Sequence, residues 1–414
     1  MTTALWMNVF AVMVTAGLDT SPAMLGSIDV KAPPYSAVGD GVTDDTEAIQ
    51  SAWEAAKATG ARVLVPAGDY RISLRGNAED GYRPALHFSA NSASKEKQPI
   101  LEGATRGVTF VIRFPADAPR TLETIRVDKG TLTDNPRGMS ISNLRLVNDG
   151  ASAPANWHEP YDFRGTGIRI ENAWASPLLS NFQILGFCIG LYVSNGYHSD
   201  FGPGEIRDCN FGLYLGGTPN ASRFHSIVLH KIRPVATNTE GWRQTNFPQG
   251  RIGAAVYAGG GTITGGSFDN VNTELCSVAG YFFHSAPHSL TVNAMRSESV
   301  FAPIWIYGPV DPFYTTGCTF IGASIDCDSL IVPAVYLNRA EGYTFINTRF
   351  YQRNNEGGSR VAIEMTGASR GNLFISPIDD ESGTTGKLAD DIIDAGTTNR
   401  VWLTGEVPGT RKSE

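Results

Sequence analysis

The feature that most constrains this chain is a short alternating segment that recurs along it. It reads GIRIENA from residue 167, GLYVSNG from 190, GLYLGGT from 212 and AVYAGGG from 255. It continues as GYFFHSA from 280, PIWIYGP from 303, AVYLNRA from 334 and AIEMTGA from 362. The intervals are 23, 22, 43, 25, 23, 31 and 28 residues. Each copy alternates apolar with other residues and runs into a turn-forming residue, the pattern of a strand entering a corner. A second run follows most copies, as in 205–211, 224–231, 262–270, 290–298, 315–323, 343–351 and 372–380. The period is too short for strand–helix–strand units and about half that of a propeller blade. An all-β solenoid, a parallel β-helix whose coils stack on one another, remains. A single coil cannot bury its inward face alone, and stacking gives one continuous core.

Composition agrees. Glycine is 45 of 414 residues and charged residues are 18%, which suits short strands and tight turns over long charged helices. The net charge of −8 argues against a nucleic-acid partner. Five cysteines (Cys188, Cys209, Cys276, Cys318, Cys327) show no CxxC spacing and read as small buried side chains. No run of 18 apolar residues predicts a membrane span.

The expected divisions are an apolar segment over 1–27, a cap and first coil over 28–75, the parallel β-helix over 76–405 and a tail over 406–414. Ala4 to Val14 has the length of a secretion signal but lacks a preceding basic residue, the first being Lys31. It reads as either a cleaved signal or a packing segment. Residues 44–47 (DDTE) predict a helix start with a carboxylate cap, Ile49, Ala52, Trp53 and Ala56 form one apolar face, and Gly60 ends the helix. Such an N-terminal capping α-helix would cover the open strand edges of the first coil.

The strings AVGDGVTDDT (37–46), AIQ (48–50) and VPAGDY (65–70) closely resemble the N-terminal motif of the pectate-lyase-like superfamily. That superfamily consists of single-stranded right-handed parallel β-helices and includes polysaccharide lyases, glycoside hydrolases and phage tailspike depolymerases. The resemblance implies a right-handed coil, a polysaccharide substrate, an extracellular or virion-associated location and, by likeness to phage spikes, a homotrimer. The motif speaks to fold and not to reaction. The Gly-His-Gly with paired aspartates of polygalacturonases and the Tyr-x-Asp-Pro-His of alginate epimerases are absent.

A polymer can lie along the outer side of such a coil and be gripped by several turns. Aligning the second run on Leu229, Phe268, Met295, Phe320, Phe350 and Ile378 as inward residues points His230, Asp269, Arg296, Tyr351 and Asp379 outward, with Glu298, Arg353 and Glu381 two further on. In that alignment Asp269 and Glu298 would stand about 8 Å apart across one coil. Inverting glycosidases hold their two carboxyls about 6.5–9.5 Å apart, so the pair is expected to be catalytic, with Arg296 separating their roles. His230, Glu274, Tyr351 and Arg353 are expected to bind substrate. Asp326 and Asp328 are reserves, and Asp200, Glu205 and Asp208 read as a solvated acidic turn. Residues 233–252 lack alternation and form a hidden coil or a protruding loop, whose Trp242 and Arg243 could wall a sugar site. Trp157, His158, Trp174 and Trp305 are weaker candidates.

Glycoside hydrolysis is the favoured reaction. β-Elimination on a uronic-acid polymer, with His230 as base and Lys231, Arg233, Arg296, Tyr351 and Arg353 meeting the carboxylate, is the alternative. A non-catalytic carbohydrate-binding or tailspike role is a third. No cofactor is required for hydrolysis; acidic turns such as 379–381 leave calcium open.

Overall fold

The recurring segment becomes a ladder of parallel strands, each copy lying on the next. The computed structural model describes residues 26–91, 98–105, 107–132, 138–173, 178–259, 263–284, 287–308, 315–352, 362–381 and 392–402. Strand Thr166–Glu171 pairs with Ile189–Ser194, that with Phe211–Leu215, and that with Ala254–Ala258. The register then runs Val256↔Tyr281↔Ile304↔Val335↔Ile363. The 43-residue interval holds no hidden coil, because Leu213 faces Val256 directly. Residues 233–253 protrude as a loop between the two.

Each coil has three sides, and this strand forms the third. The first side carries an inward column of Val63, Leu101, Ile141, Leu179, Phe201, Phe224, Phe268, Val292, Phe320, Phe345 and Phe374, each in register with the next. The phenylalanines stack face to face, 4.7 Å apart for Phe201–Phe224 and 4.4 Å for Phe345–Phe374. Each ring buried stabilises the coil by about 1.5–3 kcal/mol. The second side carries an inward column of Tyr70, Phe110, Leu146, Ile184, Ile206, Leu229, Thr273, Ser297, Ile325 and Phe350.

The corner between the first and second sides is turned by one residue per coil in the left-handed region: Asn143, Asn181, Ser226, Asn270, Ala294, Asn347 and Ser376, with φ between 48° and 58°. Asparagine tolerates that conformation better than other non-glycine residues. A single-residue corner leaves the alternation on either side looking like one strand. The alignment expected above therefore merged two sides. Leu229 and Phe350 belong to the second, whereas Phe268 and Phe320 belong to the first.

Outside the third side runs a column of Tyr192, Tyr214, Tyr257, Phe282, Trp305 and Tyr336, in register from coil to coil. The loop lies over it, and together with Phe163, Phe211 and Phe247 these rings form a second apolar cluster external to the coil. Arg120 donates to the Thr237 carbonyl at 2.7 Å, and Asp162 accepts from the amides of Ala236 and Thr237.

The helix Thr46–Thr59 buries Ile49, Ala52, Trp53 and Ala56 as expected, and Gly60 ends it at φ 71°. Trp53 packs 4.5 Å from Phe88 and donates its indole N–H to the Ser89 carbonyl. The carboxylate cap differs from expectation. Asp45 turns back to accept from the amides of Val38 and Gly39, pinning the preceding loop, while Asp44 accepts from the Thr46 amide. All five cysteines are free thiols, and burial pushes that of Cys188 up to about 12. Among the described residues no helix is long and apolar enough to cross a membrane.

Candidate functional site

The outer surface of the second side is where ionisable groups converge. Alternation puts two outward rows on either side of the inward column. One row runs Arg145, Gln183, Glu205, Val228, Asn272, followed by Arg296 and Ser324. The other runs Leu185, Arg207, His230, Glu274 and Glu298. His230, Glu274, Arg296 and Glu298 thus share one surface, and Tyr351 stands two coils beyond Glu298 in the direction of Ile325 and Phe350.

Glu274 and Glu298 are register partners on adjacent coils. Arg296 reaches Glu298 at 2.6 Å. The Glu274 carboxylate makes no hydrogen bond or salt bridge among the described residues, while its backbone carbonyl accepts from the Cys276 thiol. Below Glu274, burial and the neighbouring Lys231 hold the His230 imidazole below its usual range, so it is neutral at neutral pH. Arg207 lies 3.8 Å from Glu205 and 3.7 Å from Asp208.

Asp269 is elsewhere. It sits on the first side, opposite Asn293 and not beside Arg296, because the left-handed Asn270 turns the chain immediately after it. The pair Asp269 and Glu298, expected across one coil, is not brought together. Asp269 accepts from Arg223 at 2.7 Å, from Asn293 at 2.7 Å and from Ser267 at 2.9 Å. Burial works to raise its pKa, but these bonds outweigh it and hold the carboxyl below its usual range. Such a group is a clamp between three coils and a poor proton donor.

Trp242 and Arg243 do not border the Glu274–Glu298 strip either. Their loop covers the third side, and Trp242 packs 5.0 Å from Phe211. Trp305 is 8% exposed beneath the same loop and donates to the Asn246 carbonyl. Arg353 and Trp174 lie outside the described residues. His158 stacks on Phe301 and Trp157 packs against it at a tilt, and their carbonyls are held by Arg251 and Ser277 respectively. Among the described residues no cluster of three His, Cys, Asp or Glu side chains is placed to hold a metal.

A family described as rhamnogalacturonase A/epimerase, pectate lyase-like, matches residues 30–77. The first turn and the helix Thr46–Thr59 carry that match. The described chain is a parallel β-helix whose first turn and helix resemble that family. Among solved structures, this β-helix resembles DFA-IIIase from Arthrobacter chlorophenolicus A6 with a TM-score of 0.58 at 12% identity, covering 91% of this chain and 94% of that one. It resembles the Dettilon tailspike protein with a TM-score of 0.55 at 12% identity, covering 91% of this chain and 68% of that one. Mannuronan C5-epimerase AlgE6 of Azotobacter vinelandii is 33% identical over 92 residues, 21% of this chain and 10% of the epimerase. The matched stretch is thus about a tenth of that relative's length.

Sequence reasoning missed Arg145, Gln183 and Arg207 on the strip of this β-helix. Aligning the coils on the asparagine corners would have found Arg145 and Gln183, each two residues past Asn143 or Asn181, whereas Arg207 follows a turn at Gly202 that carries no such mark.

Proposed function

We propose that this β-helix is a carbohydrate-active enzyme that cleaves a polysaccharide lying along the outer surface of the second side, by glycoside hydrolysis at Glu274 and Glu298. The observation that supports it is their direct opposition in register on adjacent coils, with Arg296 bonded to Glu298. Neighbouring parallel strands lie about 4.8 Å apart. Retaining glycosidases hold their carboxyls about 5–5.5 Å apart, so the arrangement favours retention over the inversion that the Asp269 pairing suggested. In this reading the Glu298 carboxylate attacks the anomeric carbon while Glu274 gives its proton to the leaving oxygen. Glu274 then takes a proton from the water that releases the glycosyl group. No cofactor is required. The winding is right-handed, the helix Thr46–Thr59 caps the first coil, and the protein works outside the cell or on a virion, as a homotrimer.

Glu274→Gln and Glu298→Gln should each lower the rate by about 10²–10⁴-fold. Asp269→Asn should stay within a few fold of the parent rate. The assay is release of reducing ends, with the product anomer read by NMR. Full activity in both glutamate variants, or an inverted anomer, would overturn the assignment.

A second reading, β-elimination on a uronate polymer, is favoured by the neutral His230 beside Glu274 and by the C5-epimerase relative. It predicts ultraviolet absorbance from an unsaturated uronate, and its loss in His230→Gln. Binding without either product would mean a non-catalytic carbohydrate-binding protein.

A further inference from the structure

Toward the N-terminal end of the same strip lies a cavity of about 220 Å³ at the corner of the first and second sides. Its lining includes Arg145, Asn181, Phe182, Gln183, Glu205 and Ser226. We propose that it is a subsite for an acidic sugar unit, in which Arg145 grips the anionic substituent.

The observation that carries this is the guanidinium. Its Nε is buried and has no hydrogen-bond partner. The Arg145 side chain makes neither a hydrogen bond nor a salt bridge among the described residues. A buried charged donor left unpaired is costly, and a ligand that accepts from it removes that cost. The one acid in the lining, Glu205, does not do so. Glu205 is held instead by Gln183, which donates to it at 2.9 Å, and it faces Arg207 at 3.8 Å. Asn181 donates to Asn143 at 2.6 Å, so the corner of the cavity is rigid. The wall is apolar at Leu144 and Phe182, each 2% exposed, and suits the carbon face of a ring. Planar guanidinium groups bind carboxylates in two-point fashion. Glu205, two coil steps along the same row, can accept from sugar hydroxyls.

Arg145 and Asn272, which neighbours Glu274, belong to one outward row with three residues between them. Four coil steps place them about 19 Å apart along the axis. A polymer that spans this interval meets the cavity and the carboxylate pair together. The inference rests on the reading that this side binds a polysaccharide, and it narrows the substrate to one that carries carboxylate groups.

The test uses the full chain carrying Glu274→Gln and Glu298→Gln, so that binding is scored without turnover. Calorimetric titration compares short mannuronate and galacturonate oligosaccharides with their carboxyl-reduced, neutral counterparts. At least one acidic oligosaccharide should bind about tenfold more tightly than its reduced form. Adding Arg145→Gln should abolish that preference and leave neutral binding in place. Arg145→Lys should keep part of it, which separates loss of charge from loss of fold. Equal affinity for acidic and reduced forms, a preference that survives Arg145→Gln, or no binding of either acidic oligosaccharide would overturn the proposal. Turnover of a neutral polymer by the parent chain, with no acidic preference, would sink the subsite and spare the hydrolase reading. An acidic preference without turnover would do the reverse.

Discussion

Asp128 shows how a single carboxylate ties coils together on the third side. It accepts from His87 at 3.0 Å and from Arg126 at 2.9 Å, and Arg126 also reaches Glu123 and Glu171. Burial alone would raise its pKa, but the His87 and Arg126 bonds outweigh it and hold the carboxyl at about 2. A carboxyl whose pKa is depressed by folding stabilises the native state above its unfolded pKa and loses that contribution as the pH falls through the folded one. The group is 13% exposed, so screening by solvent is modest, and the contribution is about 2 kcal/mol. Denaturant midpoints measured from pH 5 down to pH 2 should therefore fall in the parent chain. Asp128→Asn should be less stable at pH 5 and show a shallower slope across that range; an unchanged slope would refute the linkage. At this scale the sequence was least informative. Asp269 and Glu274 both appear as outward acids near the end of an apolar run, yet one is clamped by three donors and the other by none. The difference depends on Arg223 and Asn293, which are distant in sequence and adjacent only once the coils stack.

Strands were read well where the repeat is regular and poorly where the chain turns. All eight copies of the alternating segment fall in register on the third side, because each ends in a conspicuous turn residue. The corner between the first and second sides costs one residue and no glycine in most coils, so it left no mark in the hydrophobic pattern. Asn270 is that residue in the coil that carries Asp269, at φ 55°. A β-branched side chain is strained there by roughly 1–3 kcal/mol, whereas glycine is not. Asn270→Val should lower the unfolding free energy by that amount and Asn270→Gly should leave it nearly unchanged, both read from chemical denaturation. Equal stability of the two variants would show that the corner is not conformationally demanding. Gly204 makes the complementary case. A Cβ there would lie 2.4 Å from the Phe182 ring, so Gly204→Ala would crowd the cavity wall.

The molecule as a whole is a stack of near neighbours, and its stability is a sum of coil–coil terms more than of long-range ones. That made the architecture legible from the period alone, together with the helix face of Ile49, Ala52, Trp53 and Ala56. The position of the protruding loop was not legible. Trp242 and Trp305 could equally have faced a groove, and only their packing on the third side decides it. This loop has a consequence for how the protein ages. It works as a lid bolted over an oily seam: Tyr257, Phe282 and Trp305 stay at 8% exposure or less only while it is in place. Its crest, from Ala236 to Thr239, is exposed and is the natural point for a protease to enter. A single nick there would leave the wound core standing but peel the cover back, and the bared rings would drive clumping long before any coil melts.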